Sequence, residues 1–186
     1  SAWSLSERPG FMRLKTGRVV DNLFVAPNTL TQRMVGPRCS FVAKLDVSNM
    51  KDGDRAGISA YNGDSGVLAI EKDGDKCKIV ASFQESVFDR SKSIADIKIS
   101  NEDCRDFDAK EVWLRVDAEF ENAKDEGQLY YSLDGENWQT IGNSFKLIFD
   151  YRRMFMGSKF AIFNYATKSL GGYVDVDMVT LTADKK

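Results

Sequence analysis

Polar and apolar residues alternate along much of this chain. From Arg38 to Asp46, Cys39, Phe41, Ala43 and Leu45 fall on one side, and Arg38, Ser40, Val42 and Lys44 on the other. This is the period of two expected of a half-buried strand. Glu111 to Glu119 repeats it with Val112, Leu114, Val116 and Ala118, and Leu129, Tyr131 and Leu133 form another stripe. Similar runs predict strands over 11–15, 18–25, 30–34, 55–62, 65–71, 75–82, 94–99, 136–142, 159–165 and 172–182. Helical periodicity is nearly absent. Asp-Gly pairs at 52–53, 73–74 and 134–135 punctuate the runs, and the last stands between two strand-like runs as a hairpin turn should.

A dozen or so short strands within 186 residues predict one all-β domain spanning 1–186: two packed antiparallel sheets in a sandwich or jelly roll, or else a barrel. A propeller is disfavoured, because at roughly 40–45 residues per blade the chain allows only about four and no blade repeat is visible. No apolar run approaches the ~20 residues of a membrane-spanning helix. The first residues lack the basic and apolar regions of a signal peptide, as an excised domain would, so they leave the compartment open. An extracellular or periplasmic bacterial setting is expected over a cytoplasmic one.

Charge and composition narrow the chemistry. Lys and Arg number 26 against 28 Asp and Glu, a net charge of −2 that argues against a nucleic-acid partner. Histidine is absent, which removes the commonest general base, the Ser-His-Asp triad and the Cys-His dyad, and histidine-ligated metals. An enzyme would have to rest on carboxylates, Tyr, Lys or Cys, and no spacing singles out the pair of facing carboxylates that a glycosidase needs. The three cysteines are odd in number and far apart. At most one disulfide could close, and Cys39, on an apolar stripe, reads as a buried free thiol.

If one strand face is buried, unusual residues on the other face carry information. Trp113 shares its face with Arg115 and Asp117. An aromatic ring beside fixed charged groups suits a sugar, whose apolar face stacks on the ring while its hydroxyls meet the charges; the alternative is a tryptophan covered by a loop. Tyr61 shares its side with Gly57 and Ser59 before the polar loop Asn62–Gly66; it is a second candidate, or a packed hairpin tyrosine. Arg33 is a further donor on a strand face, or the partner of a carboxylate across the sheet. Asp175 and Asp177 are expected on one side of the last strand with Tyr173, Val179 and Leu181. Two like charges there need a cation between them, either one structural calcium, with Glu7 near if first and last strands are neighbours, or an arginine or lysine.

Several blocks, in order along the chain, resemble a known family. They are Leu5-Ser6-Glu7-Arg8-Pro9-Gly10-Phe11-Met12-Arg13-Leu14, Asn28-Thr29-Leu30-Thr31-Gln32-Arg33 with Gly36-Pro37, Asp52-Gly53-Asp54-Arg55-Ala56-Gly57, Glu111-Val112-Trp113-Leu114-Arg115, Tyr130-Tyr131-Ser132-Leu133-Asp134-Gly135, Phe160–Lys168 and Gly171–Asp177. Together they resemble the C-terminal β-sandwich domain of glycoside hydrolase family 43 β-xylosidases and arabinofuranosidases. The resemblance implies a concanavalin-like jelly roll of two curved antiparallel sheets. In the family this module packs against a five-bladed propeller that carries the catalytic acids, and in several β-xylosidases it lends a loop to the active-site pocket. This chain contains no propeller sequence, so the catalytic acids have no counterparts in it. The stretch Ser59–Asp64 departs from the family's more aromatic, glutamine-rich loop, and 85–108 is longer and more charged. The functions implied are binding of a polysaccharide or oligosaccharide, with xylan or a related hemicellulose the expected glycan, or a structural role that stabilises or oligomerises a parent glycosidase and helps shape its active site. The partners implied are the glycan and the parent's catalytic domain.

Overall fold

A computed structural model describes residues 2–91, 93–148 and 157–184. Among these, thirteen strands form two sheets, and every strand pairing in them is antiparallel. The first sheet runs, edge to edge, β1 (Trp3–Ser4), β2 (Met12–Lys15), β13 (Tyr173–Ala183), β4 (Arg38–Asp46), β9 (Glu111–Glu119), β10 (Glu126–Ser132) and β11 (Gln139–Lys146). The second runs β3 (Thr29–Arg33), β12 (Lys159–Ala166), β5 (Asp54–Tyr61), β6 (Ser65–Asp73), β7 (Lys76–Phe88) and β8 (Ile94–Phe107).

The core lies between the sheets. Leu45, Val112, Leu114, Val116 and Ile141 come from the first, and Ile58, Leu68, Ile70, Ile79 and Phe160 from the second. Phe41 and Phe160 stack across the gap with ring centroids 5.2 Å apart. This is the two-layer all-β sandwich expected, with apolar inner faces interdigitated.

The structure differs from expectation in three places. Residues 18–25 do not form a strand. The Asn22 side chain accepts the Val25 N–H and caps a 3-10 turn over Leu23–Val25, while the Leu23 N–H goes to Gln84 Oε1 at 3.2 Å. This segment lies on the outer face of the second sheet and builds a second small core of Leu23, Val67, Ala69, Phe163 and Tyr165. Much of β5, β6 and β12 is therefore buried on both faces, and the rule of one wet face fails there. The hairpin β7–β8 is also longer than expected, at 13 and 14 residues. Finally, the register of β13 against β4 shifts between Val176 and Met178. That bulge inverts the alternation, so Val179 and Leu181 pair with the inward-facing Ala43 and Phe41 instead of sharing the side of Asp175.

Candidate functional site

Val112, Leu114, Val116 and Ala118 are buried in the core, so the strand period turns Trp113, Arg115 and Asp117 to the outer face of the first sheet. Register decides their neighbours. On β10, Ser132, Tyr130 and Gln128 stand opposite Trp113, Arg115 and Asp117; on β4, Lys44, Val42 and Ser40 do the same.

Arg115 and Asp117 form a two-pronged pair, Nε to Oδ1 at 2.6 Å and Nη2 to Oδ2 at 2.7 Å, and the Ser40 hydroxyl also donates to Asp117. The guanidinium lies 5.3 Å from the centre of the Tyr130 ring and 5.7 Å from that of Trp138. A charge-paired, ring-flanked guanidinium is held in one place. Trp138 is set by the turn before it. The Asp134 carboxylate accepts from the Ser132 hydroxyl, the Glu136 and Asn137 N–H groups and the Asn137 amide, at 2.7–2.9 Å, and these bonds, led by those from Asn137, hold its pKa far below the usual carboxylate value. Gly135 adopts φ = +81° in this turn. A Cβ there would fall 2.9 Å from the Trp113 indole, so only glycine suits both the backbone and the contact.

Trp113 is thus half-buried, with the turn against it and the Lys44 ammonium 4.9 Å from its ring centre; it is not the open platform that alternation alone suggests. The open space lies alongside. A groove of about 440 Å³ is lined by Ser40, Arg115, Asp117, Gln128 and Tyr130, and continues to Arg38, Lys124 and Asp184.

Tyr61 and Arg33 do not belong to this face. They lie on β5 and β3 of the second sheet, each opposite Lys159 of β12. Tyr61 packs on Phe24 with centroids 5.7 Å apart, burial pushes its hydroxyl pKa up, and Arg33 sits exposed on an edge strand. The five sugar-site candidates therefore divide between the two sheets. Conversely, Tyr130 and Trp138 were missed: Tyr130 alternates with buried Leu129 and Tyr131, but nothing in sequence spacing shows that it meets Arg115.

The carboxylates considered for calcium are also separated. Asp175 is 1% exposed and both its oxygens are engaged by guanidinium groups: Arg13 Nε at 2.7 Å, Arg13 Nη2 at 2.9 Å and Arg8 Nη1 at 3.0 Å. Arg8 also bridges to Asp46 at 2.7 Å. Glu7 pairs with Lys15 and Arg13, and Asp177, displaced by the bulge, pairs with Lys44 at 2.7 Å. These residues do not fit a calcium site, since arginine and lysine supply the positive charge. Among the described residues no group of three or more Cys, Asp or Glu side chains is arranged to hold a metal. The cysteines are free, with Cys39 buried, and burial raises its thiol pKa.

Comparison with known proteins identifies the domain. The sequence model of the β-xylosidase C-terminal concanavalin A-like domain matches residues 1–182. A β-xylosidase of Formosa agariphila is 28% identical over 203 aligned positions, which cover 98% of this chain and 31% of that protein. In solved structures, a bifunctional family 43 glycosidase–carbohydrate esterase of Bacteroides eggerthii superposes with a TM-score of 0.87 at 37% identity, covering all of this chain and 22% of the other. A family 43 hydrolase engineered for both endo-xylanase and exo-arabinofuranosidase activity superposes with a TM-score of 0.84 at 30% identity, covering 92% and 34%. The chain thus spans about a third or less of these relatives. It belongs to the family of C-terminal concanavalin A-like domains of glycoside hydrolase family 43 β-xylosidases.

Proposed function

We propose that the chain is the non-catalytic accessory module of a family 43 glycoside hydrolase and that the outer face of its first sheet binds a glycan chain, a xylan or related hemicellulose. The observation that carries this reading is the pair of rings, Tyr130 and Trp138, on the Asp117-paired Arg115 beside an open groove that Tyr130, Arg115 and Asp117 line, with the half-buried Trp113 next along the same strand face. A pyranose ring presents apolar C–H faces to a tyrosine or indole, and its hydroxyls take donors from the remaining guanidinium N–H groups of Arg115 and acceptors from Asp117 and from the Ser40 oxygen, whose own proton goes to Asp117. Because Arg115 is already fixed, little side-chain freedom is lost on binding. The names of the relatives, β-xylosidase and xylanase–arabinofuranosidase, supply the glycan class.

A second reading, docking to the parent's catalytic domain, is favoured by a different observation. Leu30, Val179 and Leu181 occupy inward-facing register positions yet are 38%, 47% and 37% exposed. The two readings separate by paired substitution. Tyr130→Ala is expected to weaken xylo-oligosaccharide binding at least about fivefold in calorimetry, since one stacked ring contributes about 1 kcal/mol, with the melting temperature little changed. Leu181→Ser is expected to leave that affinity alone and to weaken association with the catalytic domain. Unchanged glycan affinity in Tyr130→Ala would sink the first reading, and unchanged association in Leu181→Ser the second.

A further inference from the structure

The charges of the groove specify which glycans it accepts. Among the described residues three cations line it, Arg38, Arg115 and Lys124, against four anions, Asp117, Glu119, Glu126 and Asp184. Each cation is already engaged: Arg115 by Asp117 at 2.6 Å, Lys124 by Glu119 at 2.7 Å, and Arg38 by Glu119 at 3.5 Å and also by Glu121. Lys146, beyond the lining, bonds Glu126 at 3.0 Å. Among the described residues the groove therefore offers acceptors, hydroxyls and paired donors, but no cation without a carboxylate of its own. A carboxylate ligand would have to displace one of these partners or lie beside it, whereas a neutral hydroxyl can donate to an acid and accept from the guanidinium edge at once.

From this we infer that the groove selects neutral glycan chains, such as unsubstituted or arabinose-substituted xylan, and discriminates against chains carrying uronic acids. The inference rests on the glycan-binding reading of this face. It is tested with one polymer in two forms, a glucuronic-acid-substituted xylan and the same polymer with its carboxyl groups reduced to alcohols, which differ in charge and little else. At 0.01 M salt, where the Debye length is about 30 Å, the reduced form is expected to bind at least about fivefold more tightly. At 1 M salt, where that length is about 3 Å, the ratio should shrink toward one. In the Glu126→Gln/Asp184→Asn variant the ratio at low salt should fall below about twofold. Equal or tighter binding of the acidic form at low salt would overturn the discrimination while leaving glycan binding intact, as would a preference that neither salt nor the variant alters. Failure of both forms to bind would overturn the discrimination and the glycan-binding reading together.

Discussion

Replacing Asp175 by alanine is expected to destabilise the domain by about 3 kcal/mol or more, the scale seen when one member of a buried ion pair is removed and its partner is left uncompensated. Asp175 is almost fully buried and receives three hydrogen bonds from Arg8 and Arg13. Those arginines in turn hold the N-terminal segment down: Arg8 lies 3.6 Å from the Phe11 ring centre and Arg13 3.9 Å from that of Tyr173. Both arginines keep some contact with solvent, so part of the loss is recovered by hydration, and the lower end of the 3–5 kcal/mol range applies. The same cluster sets an acid limit. Burial alone would raise the Asp175 pKa, but the hydrogen bonds from Arg13 and Arg8 outweigh it and hold the group below the ordinary carboxylate value. A depressed folded-state pKa contributes stability that is present above the unfolded value near 3.9 and is lost as pH falls through the lower, folded one. Thermal melts from pH 7 to pH 2 should therefore show wild type and Asp175→Asn running parallel down to about pH 5 and wild type losing stability more steeply below about pH 4. Curves that stay parallel throughout would contradict this account of the cluster.

Leu23→Ala should cost about 2–5 kcal/mol, the range for truncating a buried leucine. Leu23 is fully buried under the second sheet's outer face, with Phe163, Tyr165, Val67 and Ala69, and its backbone N–H is bound to Gln84. Truncation would leave a void against a sheet whose other face is already packed, so little relaxation is available. Because this second core lies on the opposite sheet from the groove, xylo-oligosaccharide affinity measured below the melting transition should match wild type. A cost under about 1 kcal/mol would mean that residues 18–25 rest on the sheet as an unpacked loop.

These two expectations mark where sequence patterning carries far and where it stops. Over Arg38–Asp46 and Glu111–Glu119 the alternation coincides with the strands from end to end, because each buries one face against a continuous core. Over 18–25 the apolar residues also suggest a strand. There the Asn22 side chain competes for the backbone, and burial comes from a sheet surface that no local period reveals. At Asp177 the alternation is locally correct but broken by a bulge, which depends on the pairing partner. The face of Trp113, Arg115 and Asp117 was legible from period two alone. Its companions Tyr130 and Trp138 were not, since they arrive through strand order and through a turn fixed by Asp134. Tyr61 and Arg33 show the converse: sound local readings that strand order assigns to the other sheet.

The central claim is that a glycan sits on Tyr130 and Trp138 beside Arg115. Its most direct test is an NMR titration of the isolated chain with xylo-oligosaccharide, following the three indole N–H signals of Trp3, Trp113 and Trp138, the tryptophans of the chain. Trp138 should shift strongly and saturably, Trp113 less because Lys44 and Gly135 flank it, and Trp3, on the edge strand β1, not at all. Saturable binding in which Trp138 and Trp113 remain unmoved would place the glycan elsewhere and contradict the account.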